Sequence, residues 1–249
     1  MLPELATSGY VFESAAEVRA LAQAADSTTL AEWAQEAARA DAVVVAGFCE
    51  LGGDGRVYNS AAVVDRSGVL AVYRKAHLWD RESLFFAPGR EPPPVVETSI
   101  GRIGLAVCYD LFFPEVPRAL AGADVIVIPT NSPTTPANTA PGAPPSGKEI
   151  GIAIAVTTAY LNRVFLTVCD RCGPERGVDW SARTVIVDPD GRTLAAASAP
   201  CPEIVVAQCD LKQARDKRWA GSSNDAFLDR RPELYALAAA DGNRAPLGT

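Results

Sequence analysis

Three separated segments carry residues whose chemistry suits attack on a carbonyl group. In GLAVCYDLFFPE (residues 104–115) an apolar run ends at Cys108, and a polar, aromatic stretch follows. A thiol at the end of a buried strand is held rigidly yet faces the cleft beyond it. That suits a nucleophile, given a neighbour that takes its proton. In YRKAHLWDRESLFFAPG (73–89) Lys75 ends another strand. An ammonium in that position can stabilise charge developing on an attacked oxygen. In PELATSGY (3–10) Glu4 lies between Pro3 and Leu5, a setting for a buried general base. Each residue alone also has a plainer reading. Cys108 reads as a small core residue, Lys75 as a surface cation beside a turn, and Glu4 as part of a frayed terminus. Glu82 alone reads as a solvated acid. His77, the only histidine, alone reads as a hydrogen-bonded structural residue. Cys169 and Cys172 have C-x-x-C spacing, but no second pair with metal spacing accompanies them. Two semi-buried thiols are the preferred reading over a redox or half-zinc motif.

The elements that must position these residues follow from pattern. Residues 14–40 are Ala-rich and helix-forming, with a break at Asp26–Thr29 and Ser27 or Thr28 as cap of the second helix. Apolar runs at 42–48, 103–108, 124–129 and 164–169 read as buried strands. Gly52–Gly55 is turn chemistry. Val57–Asp65 and Val69–Lys75 form an antiparallel hairpin about Arg66-Ser67-Gly68, and 182–188 with 192–197 form a second about Pro189-Asp190-Gly191. Ile100-Gly101-Arg102 ends another turn. Short and longer helices are expected at 115–121 and 148–162, a Pro-rich loop at 131–147, and a last strand at 203–210. This alternation predicts an α/β fold with mixed sheets.

Composition narrows the function. With 48% hydrophobic and 21% charged residues over 249 positions, the chain has material for a sizeable core. We read it as one domain, 1–249, with a polar tail from about 211 extending outward. A net charge of −7 argues against nucleic acid or an anionic membrane as partner. No run of about 20 apolar residues proposes a membrane span. The start lacks the basic region of a signal peptide. Six cysteines spread through a long chain fit a reduced, cytoplasmic setting better than a disulfide scaffold.

Taken together and in order, the three segments resemble the nitrilase superfamily of carbon-nitrogen hydrolases. Supporting marks are VYNSAAVVDRSG, VIVIPTNSP, LNRVFLTVCDRCGPERG, SARTVIVDPDGRTLA and RRPELY, so the likeness runs from residue 2 to about 236. The resemblance implies a four-layer αββα sandwich that associates into homodimers or larger homo-oligomers. It implies a Glu-Lys-Cys triad carried onto Glu4, Lys75 and Cys108. A second active-site glutamate falls at Glu82, and oxyanion or substrate-binding roles fall at Tyr109 and Asn131. No metal or organic cofactor is implied. The implied reaction is hydrolysis of a small non-peptide amide by an amidase, ω-amidase or N-carbamoyl amidase. A nitrilase acting on a nitrile is the alternative, and a catalytically silent binding or assembly subunit is the alternative of another class. The family pattern places a strand, a helix and a strand ahead of its glutamate. Here the glutamate segment opens the sequence, so the reading expects an N-terminally truncated form with its true start upstream and Glu4 poorly held. Relatives often carry a tryptophan soon after the Pro-rich stretch; here none occurs between Trp79 and Trp180.

Overall fold

A computed structural model describes residues 1–120, 122–134, 148–219 and 221–234. Two helices open the chain, α1 (Ala15–Leu21) and α2 (Thr28–Ala40). Ser14 caps α1 by accepting from the Glu17 N–H. Ser27 occupies the N-cap position of α2, as expected, but makes no side-chain cap bond. The break is longer than the sequence suggests, because Gln23 pairs with the strand that follows, bonding to Cys49 and Leu51. That strand, β1 (Val44–Leu51), joins β2 (Val57–Asp65) and β3 (Gly68–Arg74) in an antiparallel sheet of order β1-β2-β3. The first residues of the chain lie along β1: Leu2 N–H donates to Val45, Gly47 N–H to Pro3 and Ala6 N–H to Gly47.

The second sheet has order β11-β10-β7-β6-β5-β4. Its members are β4 (Val95–Thr98), β5 (Gly101–Leu105), β6 (Val125–Thr130), β7 (Phe165–Asp170), β10 (Val185–Val187) and β11 (Thr193–Ala196). A two-stranded ribbon, β8 (Pro174–Glu175) and β9 (Val178–Asp179), leaves β7. The centre β5-β6-β7 is parallel and the outer pairings are antiparallel. Parallel strands buried on both faces need continuous apolar runs, which is why β6 reads Val-Ile-Val-Ile-Pro-Thr and is wholly buried.

Helices cover the outer faces. Leu30 and Ala37 of α2 are buried, and Leu30 packs with Phe48, Ala62 and Val64. Helix α3 (Glu115–Ala119) and α4 (Lys148–Asn162) lie on the second sheet, with Ala155 and Ala159 in the core. Between the sheets, Val45, Ala61 and Val63 meet Ile103, Leu105, Val125 and Val127 in one cluster. The layers are therefore helix, sheet, sheet, helix.

Three expectations change. Residues 203–210 form no strand, although their burial alternates: Val205, Ala207 and Cys209 turn inward, while Ile204 and Val206 are exposed. The pattern specifies a face, but a strand also needs a neighbour to accept its backbone bonds. The tail from 211 does not extend outward at first. Ala214 and Ala226 are buried, and Arg215 pairs with Asp124 at 3.2 Å. The strand expected over 103–108 stops at Leu105, and β4, not anticipated, pairs with it. Of the Pro-rich loop, residues 135–147 lie outside the described residues.

Candidate active site

Every element that ends near the gap between the sheets delivers one polar side chain. Glu4 follows the backbone segment paired to β1, and the chain turns there through Leu5 in the left-handed region (φ 47°). Lys75 follows the last residue of β3, and its N–H donates to the Asn59 carbonyl of β2. Glu82 sits in a 3₁₀ turn, Asp80–Leu84, entered through Asp80 at φ 45°. Cys108 opens another 3₁₀ turn, Cys108–Phe112, at φ 46°. A left-handed non-glycine residue costs on the order of 1–3 kcal/mol. It persists here because the flanking bonds fix it, and it lifts the thiol off the strand axis toward the gap.

The centre of the site is a fully buried ammonium. Lys75 Nζ donates to Glu4 Oε1 at 2.8 Å and to Glu82 Oε1 at 2.7 Å. Glu4 is not loosely held. It is fully buried, and it accepts from Asn59 Nδ2 at 2.7 Å and from the Asn131 N–H at 2.8 Å. Its own carbonyl accepts from Asn131 Nδ2 at 2.8 Å. The expected weakness of a terminal residue is overcome because its polar groups are met from three different elements. Glu82 also accepts from the Tyr10 hydroxyl at 2.5 Å and the Trp79 N–H at 3.1 Å. The Cys108 thiol contacts the Asn131 carbonyl at 3.8 Å.

Electrostatics follow from that enclosure. Burial raises the Glu4 carboxyl from 4.5 to about 7, opposed by the Lys75 charge and reinforced by Glu82. Burial alone would lower Lys75, but the two carboxylates hold it well above its ordinary value. Burial, then the Glu4 charge, push the Cys108 thiol well up, against the pull of Lys75. The resting state is therefore a neutral thiol beside an ammonium and a carboxyl poised near neutrality. Such a set can move one proton at pH 7 and meet a developing oxyanion with positive charge.

The structure brings together Glu4, Lys75, Glu82 and Cys108. Tyr109 lies next to the thiol, and among the described residues its N–H finds no protein acceptor, as expected for the first turn of such a helix. Asn131 lies beside the thiol and against Glu4. Its backbone N–H and one Nδ2–H are committed to Glu4, and its second Nδ2–H has no acceptor among the described residues. Among the described residues its buried Oδ1 has no partner and remains open to a donor.

Four contributors escaped the sequence reading as site residues. Asn59 and Tyr10 hold the carboxylates. Asp110, fully buried, accepts from the Val107 N–H, Tyr73 hydroxyl, His77 N–H and His77 Nδ1, pinning the cysteine turn to the residues after β3. Trp180 packs edge-on against Tyr10. A single Asn inside an apolar strand and an Asp just after a strand end were the available signals, since buried polar residues need partners. His77 is the hydrogen-bonded structural residue its isolation suggested. Cys169 and Cys172 are free and part-exposed.

Comparison with known proteins places this geometry in context. The family model for carbon-nitrogen hydrolases matches residues 1–218. A nitrilase of Pyrococcus abyssi is 38% identical over 94% of this chain and 85% of its own length. An (R)-stereoselective amidase of a Pseudomonas species is 33% identical over 93% of this chain and 78% of its own. Among solved structures, a mutant amidase from Nesterenkonia sp. AN1 superposes with a TM-score of 0.69 at 26% identity. That match covers 94% of this chain and 80% of the other, which carries the acetamide moiety of fluoroacetamide on its active-site cysteine.

Proposed function

This chain belongs to the carbon-nitrogen hydrolase family, a family acting on C–N bonds, and from that premise we propose that it hydrolyses a small non-peptide amide through a thioester on Cys108. The observation that carries this reading is the Lys75 ammonium enclosed by Glu4 and Glu82, close enough to the Cys108 thiol for all three charges to act on its titration.

In this reading Glu4 takes the thiol proton as Cys108 Sγ bonds to the carbonyl carbon. The Lys75 ammonium and the Tyr109 N–H meet the oxyanion. The tetrahedral species collapses, Glu4 returns the proton to the departing nitrogen, and ammonia or an amine leaves. Water then attacks the thioester with Glu4 again accepting a proton, and the carboxylic acid and the thiol are released. Glu82, steadied by Tyr10, orients Lys75. Asn131 and Asn59 orient Glu4, and Asn131 Oδ1 accepts from the substrate amide.

The likeness to a protein called a nitrilase favours a second reading, in which the same thiol attacks a nitrile carbon. Ammonia release from a panel of short amides, carbamoyl compounds and nitriles separates the two. Turnover of amides with nitriles inert supports the proposal, and the reverse pattern transfers it to the nitrile. The proposal extends to one domain over 1–249, a reducing cytoplasmic location and a homo-oligomer. Free cysteines support the location. Exposed Ile150, Tyr160 and Leu161 on α4 support association through helices.

A further inference from the structure

The Tyr10 hydroxyl ends on Glu82 Oε1, the oxygen that also accepts from Lys75. Tyr10 itself lies in a stretch, residues 9–11, that belongs to no helix or strand. Backbone donors in such a stretch still need acceptors. One distant side chain supplies them: Glu175 Oε1 accepts from the Tyr10 N–H at 2.8 Å and from the Val11 N–H at 3.2 Å. Glu175 closes β8, and the ribbon grips the same stretch at two further points. Arg176, in the turn, donates from Nη1 to the Val11 carbonyl at 3.1 Å, and its Nη2 pairs with Glu17 of α1 at 2.5 Å. Trp180, buried just past β9, sets its ring edge-on to Tyr10 with centroids 5.4 Å apart.

The Glu175 carboxylate is itself fixed. Its second oxygen, Oε2, stands 2.7 Å from Arg171 Nη1, and both side chains are largely enclosed. Its approach to the stretch needs a glycine. Gly9 lies at φ 79°, a region that suits glycine, and a Cβ there would collide with Glu175 Oε1. A chain of contacts therefore runs from Arg171 through Glu175 to the Tyr10 backbone. It continues from the Tyr10 hydroxyl through Glu82 to the buried ammonium.

Resting on the reading in which Lys75 meets the oxyanion, we propose that Glu175 is a positioning residue for the reaction: through it the β8–β9 ribbon holds Tyr10, Tyr10 holds Glu82, and Glu82 holds the ammonium. Withdrawing the carboxylate leaves two N–H groups unmet, lets Tyr10 draw back from Glu82 and lets the ammonium turn from the thiol. The loss falls on kcat, because the ammonium acts on the oxyanion and ground-state contacts are kept.

The test uses a short amide that the wild type turns over. Glu175→Gln keeps a carbonyl oxygen at the same reach and loses the charge. Glu175→Asp keeps the charge and retracts it by one methylene. In Glu175→Gln kcat should fall by about twofold or less, and in Glu175→Asp by about tenfold, with KM within about twofold, since misplacing an acting group costs rate. Tyr10→Phe should lower kcat by itself, and adding Glu175→Asp to it should cost less than about twofold more, because both changes break one chain. A kcat in Glu175→Asp equal to or above that in Glu175→Gln overturns the inference. So does an equal loss with and without the Tyr10 hydroxyl, or an unchanged kcat in Tyr10→Phe. Alkylation of Cys108 by iodoacetamide, read by peptide mass mapping, makes the same comparison without turnover, because the ammonium also favours the thiolate. A protein inert to every amide, with labelling slower in Glu175→Asp than in wild type and Glu175→Gln, overturns the amide reading and supports the positioning role. Inertness with equal labelling in all three overturns both.

Discussion

Glu4 shares one buried ammonium with Glu82, and its own hold on a proton governs the proposed chemistry. Glu4 is lifted to about 7 chiefly by burial. As the proposed base it works ionised, and it is ionised above that value. On that basis kcat/KM should rise with pH through about 7, and Glu4→Gln should remove both the limb and most of the rate. A pH–rate profile of the two proteins checks this. The stability sign runs the other way. A folded-state value above the unfolded 4.5 favours the folded state below pH 4.5, and that contribution is lost as pH rises through about 7. Melting curves should show wild type losing ground to Glu4→Gln across that window. Lys75→Met removes the proposed oxyanion partner and should cost roughly 2.7–4 kcal/mol of barrier, or about 10²–10³ in kcat. It also leaves two enclosed carboxylates without their cation, and urea unfolding should show a loss of roughly 3–5 kcal/mol.

At the scale of elements, the site depends on how three chain turns are pinned. Gly47 of β1 lies under the N-terminal segment, where a Cβ would stand 2.5 Å from the Glu4 Cα. Gly47→Ala should therefore push Glu4 from Lys75, lowering kcat and costing roughly 1–3 kcal/mol by denaturant melts. Asp110→Ala strips acceptors from the Val107 and His77 N–H groups and the Tyr73 hydroxyl. A buried donor left unsatisfied costs roughly 1–3 kcal/mol. Lower stability together with slower thiol labelling of Cys108 would mark a displaced turn. Sequence pattern showed the hairpin β2–β3, the parallel strands β6 and β7, and α4, because each has a long, consistent period or apolar run. It missed β4, whose four residues carry little pattern, and it misread 203–210, whose alternation says nothing about a partner. The residues of the site were legible through resemblance. Spacing alone could not have shown that Tyr10 reaches Glu82 and Asn59 reaches Glu4, since those contacts cross 72 and 55 positions of sequence.

The whole molecule supplies what no segment can: two sheets face to face, so that Glu4 and Lys75 from the side of one meet Cys108 and Asn131 from the end of the other. Burial of the ammonium is a property of that sandwich, and the proposed reactivity of the thiol rests on it. The central claim is that this convergence makes Cys108 alone, of six cysteines, the covalent nucleophile. Incubation with a short amide that the enzyme turns over, acid quenching and peptide mass mapping tests it most directly. The expected result is an acyl adduct confined to the peptide bearing Cys108, with ammonia release abolished in Cys108→Ala. Ammonia release that persists in Cys108→Ala, or an adduct on another cysteine, contradicts it.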